Sequence, residues 1–186
     1  QQLNDLMTVA RQCSPYYIHH LAGIKEPIQS LSQLPLTDPV EYWSNSRELN
    51  RWPVLTGSLK QAVVFKTGGS TGAGKLSVFS RNEWQTLVSD FGKSLTAQFK
   101  PGDRVANLFF AGDLYASFLF IHDALAHVAQ DITEFPFTGA VESSVLAETL
   151  VQQRVNVLAG LPAHLLVFAA WLRNNGQILN HVDTVL

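Results

Sequence analysis

From residue 61 onward the chain alternates short β-branched runs with longer helical stretches, and this alternation limits the fold more than any other feature. The runs are QAVVF at 61–65, LSVF at 76–79, RVANLF at 104–109, a weaker one at 128–133, VNVLA at 155–159 and VDTVL at 182–186. Helical patterns fill 80–99, 114–127, 143–153 and 162–173. Strands separated by helices of this length make βαβ units. The expected fold class is therefore α/β, a mainly parallel sheet with flanking helices. Ligands in such sheets bind beyond the carboxyl ends of the strands. Local stop and start signals agree. Ser80 with Glu83 three residues later reads as a capping box, Pro101-Gly102-Asp103 as a turn, and Asn175-Gly176 as a helix stop.

Residues 1–60 read differently, as an irregular, partly helical segment with Pro15, Pro27, Pro35, Pro39 and Pro53. Thr37-Asp38-Pro39 is a helix start with proline at the first helical position. The organisation predicted is 1–60 irregular and 61–186 α/β. Charged residues are 15% of the 186 residues, against a usual ~25%. A fragment whose missing remainder covers part of its surface has this composition, and so does a weakly charged domain. The net charge is −2 with no basic stripe, which leaves no electrostatic footprint for nucleic acid. Cys13 stands alone, so no intramolecular disulfide forms, in keeping with a reducing compartment. The first residues lack a signal-peptide layout, and the apolar stretch at 116–125 is short and broken by His122 and Asp123. A cytoplasmic protein without a membrane partner is expected. The chain lacks an initial Met and stops within a strand pattern, which predicts a fragment. Open strand edges then make a homodimer an expectation.

The densest chemistry lies at residues 66–75, KTGGSTGAGK. A loop that holds phosphate needs inward backbone N–H groups, glycines that let the anion approach, hydroxyl donors and a cation. All are present. A P-loop is one alternative, since Gly69 through Lys75 satisfies G-x-x-x-x-G-K. Leu76 then stands where Ser or Thr should bind magnesium, and the loop leads into a strand pattern rather than a helix. Both tests of context fail. A ligand-free Gly/Ser hairpin turn is the other alternative, although such turns rarely need nine residues with four glycines.

Thr67-Gly68-Gly69-Ser70-Thr71-Gly72-Ala73-Gly74-Lys75 resembles the T-[SG]-G-[ST]-T-G-x-P-K phosphate-loop signature of the adenylate-forming superfamily, with Gly74 in place of proline. That departure predicts a looser loop. The chain is similar to the N-terminal region of the phenylacetate–coenzyme A ligase branch. Ser14-Pro15-Tyr16-Tyr17, Ser80-Arg81-Asn82-Glu83-Trp84, Pro101-Gly102-Asp103-Arg104-Val105 with Asn107 and Phe109, and Gly160-Leu161-Pro162-Ala163 each resemble a segment of that branch. Leu161 and Ala163 depart from its G-T-P-S.

The resemblance implies activation of a small carboxylic acid by ATP and Mg2+ as acyl-AMP, then transfer to coenzyme A. It implies that Ser70, Thr71 and Gly72 contact the β- and γ-phosphates, that Lys75 adds charge, and that Thr67, Gly68 and Gly69 shape the loop. Phe109, Phe110, Ala111, Gly112 and Tyr115, with Pro162 and Ala163, are candidates to line an acyl pocket suited to an aryl acid. Ordinary core packing is the simpler reading of these aromatics. The adenine-reading segment and catalytic lysine of that family lie beyond residue 186, in the remainder of the polypeptide, so the fragment alone is expected to be inactive. A non-catalytic binding module and an acyl-protein synthetase are the alternatives. No His or Cys spacing suits a metal: His19 and His20 diverge, and His122 and His127 are five apart.

Overall fold

The computed structural model describes residues 2–68 and 74–186. They pack as two units, Gln1–Arg81 and Asn82–Leu186. Among the described residues no helix is long and apolar enough to cross a membrane.

The first unit opens with helix α1 (Gln2–Cys13) and the short α2 (Pro15–His20). Ser14 caps α2 from a fully buried position: its Oγ accepts the Tyr17 N–H at 3.3 Å and donates to the Pro53 carbonyl at 2.8 Å. Asn4 binds Ile28 through both ends of its amide, accepting from N at 2.8 Å and donating to O at 3.2 Å. Arg11 donates to the carbonyls of Leu21 and Ile24 and to Glu26. These bonds hold a stretch that has little regular structure of its own. Asp38 caps α3 (Pro39–Trp43), accepting from Val40 N at 2.7 Å, as the proline at N1 predicts. Strands β1 (Ala62–Lys66) and β2 (Leu76–Ser80) form a separate antiparallel hairpin.

Tyr16, Tyr42, Trp43 and Trp52 form one aromatic cluster, with Trp43 and Trp52 stacked at 5.2 Å. Burial, and then Tyr17 beside it, pushes the Tyr42 phenol up to about 12 from 10.0. The neutral phenol is thus the form the fold prefers. Its contribution to stability is complete below pH 10 and is lost as pH rises through about 12. Removing the hydroxyl in Tyr42→Phe should delete a late-titrating phenol from the ultraviolet profile and flatten the fall in stability over that window. An unchanged profile would refute the burial of this hydroxyl.

The second unit is a four-stranded parallel sheet in the order β4-β3-β5-β6, built from β3 (Arg104–Asn107), β4 (Thr133–Pro136), β5 (Val157–Ala159) and β6 (Thr184–Val185). Helices α4 (Arg81–Leu95), α5 (Ser117–Leu125), α6 (Ser143–Gln152) and α7 (Pro162–Asn174) flank it. Residues alternate between faces along each strand. Val105, Val157 and Ala159 pack with Leu125 and Leu95, whereas Ala106, Leu108 and Leu158 pack with Leu146, Leu150 and Phe168. The α5 and α6–α7 layers therefore cover opposite faces.

The expected strand at 128–133 lies further along, at Thr133–Pro136. Val128 and Ile132 are used for packing beside Leu125 instead. Pro136 is tolerated because β4 is an edge strand, where a missing N–H need not leave a partner unpaired. Helix α5 starts later than residue 114, because Gly112, Asp113 and Leu114 all take positive φ (124°, 46° and 61°). The Asn175-Gly176 stop forms as expected: Gly176 has φ 63°, and Gln177 N donates to Leu172 O at 2.9 Å. Asp103 of the turn accepts from Lys100 N at 2.8 Å and from Asn156 Nδ2 at 2.9 Å, which ties the start of β3 to that of β5.

Candidate functional site

The glycine-rich loop leaves the end of β1 and returns at β2. Its stem is one pair longer than the strands. Thr67 N donates to Lys75 O at 2.9 Å, and Lys75 N donates to Thr67 Oγ1 at 3.0 Å. Gly68 is exposed beside that pair. Gly69, Ser70, Thr71 and Gly72, together with Ala73, lie outside the described residues. The loop belongs to a hairpin and not to the parallel sheet, so the carboxyl-end rule for parallel strands does not account for its position.

At Gly74 the expected loosening meets a close approach. A Cβ built there would overlap the Thr67 carbonyl oxygen and come within 2.7 Å of Lys66 Cγ. Any residue larger than glycine must part the stem. Gly74→Ala is expected to raise amide exchange at Thr67 and to cost roughly 1–3 kcal/mol. Gly57→Ala, with nothing within 4 Å, is the control. Equal effects at the two glycines would refute the close approach.

Lys75 leans out of the stem and places Nζ 5.2 Å from the centroid of Trp43. Trp43, Trp52, Tyr42 and Tyr17 also wall a cavity of about 500 Å3 between α1, α2 and β2. No motif announced this cavity; its walls come from segments scattered over residues 3–78.

In the second unit the strand order sets a different site. The connection leaving β3 runs to β4 on one side, and the connection leaving β5 runs to β6 on the other. Adjacent strands whose connections diverge open a crevice at their carboxyl ends. A cavity of about 130 Å3 lies there, between Leu108 after β3, Thr138 and Gly139 after β4, Ser143 and Leu146 of α6, and His164, Leu165 and Phe168 of α7. Asn107, fully buried, organises its rim. Its carbonyl accepts from Phe137 N and Thr138 N, and its side chain donates to Glu134 Oε1 at 2.9 Å. Glu134 Oε2 in turn faces His122 Nδ1 at 2.7 Å.

The residues proposed from sequence for an acyl pocket fall in several places. Phe109 is half-buried against the α5-side core. Phe110 and Tyr115 meet edge to face at 5.9 Å, each 37% exposed. Ala111 and Gly112 are exposed in the strained loop, and Pro162 and Ala163 are the exposed first residues of α7. The crevice itself is lined by Thr138, Gly139, Ser143 and His164, which the motifs did not mark. The one signal available was the Thr-Gly pair directly after an apolar run.

No protein-family model matches the chain, and no curated protein matches its sequence. Solved structures do. The chain superposes on a 2-hydroxyisobutyryl-CoA ligase in complex with 2-HIB-AMP and CoA in its thioesterification state, with TM-score 0.77 and 17% identity, over 94% of this chain and 39% of that one. An open conformation of that ligase matches with TM-score 0.76 and 17% identity, over 94% of this chain and 42% of that one. At this identity the likeness establishes the fold alone, which is that of part of this ligase. The chain spans about two fifths of the length of these two structures.

Proposed function

We propose that the chain is the N-terminal, phosphate-loop-bearing part of an ATP-dependent acyl-adenylating ligase of the phenylacetate–coenzyme A ligase kind. One observation carries this reading. The loop that resembles the superfamily's phosphate signature is strung on a hairpin, in a chain that shares 94% of its length with the fold of a ligase bound to an acyl-adenylate. The acid's carboxylate oxygen attacks the α-phosphorus of ATP, the bond to the bridging oxygen breaks, and pyrophosphate leaves. The thiolate sulfur of coenzyme A then attacks the acyl carbon and AMP departs. Two anions must meet in the first step, so fixed donors and positive charge lower its barrier. Ser70, Thr71 and Gly72 would supply donors, Lys75 the charge, and the Thr67–Lys75 pair would keep the loop's ends together. Among the described residues no three histidine, cysteine or carboxylate side chains converge. A magnesium ion would be held chiefly by the nucleotide's phosphates.

The test is acid-dependent exchange of labelled pyrophosphate into ATP by the full-length polypeptide. Exchange with a carboxylic acid, weakened by Thr67→Ala and Lys75→Met, is expected. No exchange with any aryl or aliphatic acid would favour a binding module that keeps the fold without the chemistry.

A further inference from the structure

Lys75 ends the glycine-rich loop with its backbone fixed and its side chain the freedom that is left. Its N–H donates to Thr67 Oγ1 at 3.0 Å, and its carbonyl accepts the Thr67 N–H at 2.9 Å. Beyond them runs a flexible four-carbon stem that carries a point charge. Such a stem must be ordered before it can hold an anion, and ordering it at the moment of binding costs affinity. Lys75 is exposed, and among the described residues no carboxylate lies within ion-pair reach of Nζ. What it meets instead is the indole of Trp43, with Nζ 5.2 Å from the ring centroid.

Trp43 is not free to follow the lysine. Its ring stacks on Trp52 at 5.2 Å and 26°, and it meets Tyr42 edge to face at 5.0 Å. Trp52 is buried, and its indole N–H donates to the Tyr42 carbonyl at 2.7 Å. The platform therefore stands without Lys75. A carboxylate in its place would occupy the ammonium's N–H groups and cancel its charge. An aromatic face attracts the cation through the ring quadrupole and leaves the charge intact. An ammonium has three donors, so some stay open to an anion. A cation that is ordered but not neutralised is what the end of a phosphate loop needs.

We propose that Trp43 is a positioning residue for Lys75, holding its ammonium in place and unneutralised so that it meets the phosphates of ATP already ordered. The proposal rests on the ligase reading for the reaction that follows, but not for the binding of ATP.

Two readouts on the full-length polypeptide keep these apart: calorimetric titration with ATP and Mg2+ in the absence of acid, and acid-dependent pyrophosphate exchange. Trp43→Leu should weaken ATP binding about two- to fivefold, the worth of a cation–π contact. Trp43→Phe keeps a ring and should stay within about twofold of wild type. In the Lys75→Met background, Trp43→Leu should cost nothing further, which a general loosening of the aromatic cluster would not give. In exchange, the KM for ATP should rise by the binding factor while kcat holds. One measurement needs no change at Trp43. After reductive methylation with labelled formaldehyde, the Lys75 methyl resonance, assigned by its loss in Lys75→Met, should lie upfield of the other lysines through the indole ring current. A resonance among the others, equal losses with and without Lys75, tighter ATP binding in Trp43→Leu, or no ATP bound by wild type would overturn the proposal. Coupling of Trp43 to Lys75 in ATP binding, without exchange in any protein, would uphold the positioning role and sink the ligase reading. Exchange with no such coupling would do the reverse.

Discussion

Asn107→Leu is expected to lower the unfolding free energy of the second unit by roughly 2–4 kcal/mol, because three half-buried polar groups lose their partner at once. Asn107 is fully buried on β3, and leucine has the same number and branching of side-chain heavy atoms, so no cavity opens. What disappears is the donor to Glu134 Oε1 at 2.9 Å and to the Phe118 carbonyl at 3.4 Å, and the acceptor for Phe109 N at 3.3 Å. The Glu134 side chain is 16% exposed, so little water replaces the lost bond. The outer end of the same chain behaves differently. The His122 side chain is 49% exposed, and pairs at such sites contribute about 0–1 kcal/mol, so His122→Gln should change stability little. Denaturant titration of the two variants measures the contrast. Similar small losses would show that the Asn107 bonds are dispensable. Asn107 also sets the Thr138 turn through its carbonyl, which the substitution leaves in place, so the crevice should keep its shape in the folded fraction.

Gly92 makes the second large prediction, and its sign is the point at issue. Gly92 lies within α4, where helix propensity alone favours alanine over glycine by about 1 kcal/mol. Packing opposes this. A Cβ at Gly92 would overlap the Ala124 carbonyl oxygen and come within 2.9 Å of His127 Cβ. The obstacle is backbone and cannot rotate away, so α4 must move off the end of α5. Gly92→Ala is therefore expected to destabilise by about 1 kcal/mol net, and Gly92→Leu by roughly 3 kcal/mol or more. Thermal melts of both variants decide the matter. A Gly92→Ala protein that melts higher than wild type would show that propensity wins and that the helices do not touch as described.

Much of the fold was legible because its signals are local. The period-2 runs at β3 and β5, the Asp38-Pro39 start, the Asn175-Gly176 stop and the Pro101-Gly102-Asp103 turn each depend on neighbours a few residues away. The weaker run before β4 misled for the same reason. Its apolar residues were wanted by the core beside Leu125, and an edge position let Pro136 serve in the strand.

The loop shows where local reading stops. Its glycines, hydroxyls and lysine were plain from sequence, and so was the strand on either side. That Gly74 presses on the Thr67 carbonyl, and that Lys75 leans on Trp43, were not. Those facts join residues 7 and 32 positions apart only once the hairpin and α3 are folded. The crevice is the stronger case. Leu108, Thr138, Ser143 and His164 share no spacing and no motif. By itself the sequence determined the elements, their alternation and the chemistry of one loop, since backbone preference and hydrophobic period act between near neighbours. The order β4-β3-β5-β6, the diverging ends of β3 and β5 and the lysine set over an indole were decided by tertiary structure alone, because close packing between distant segments has no local signature.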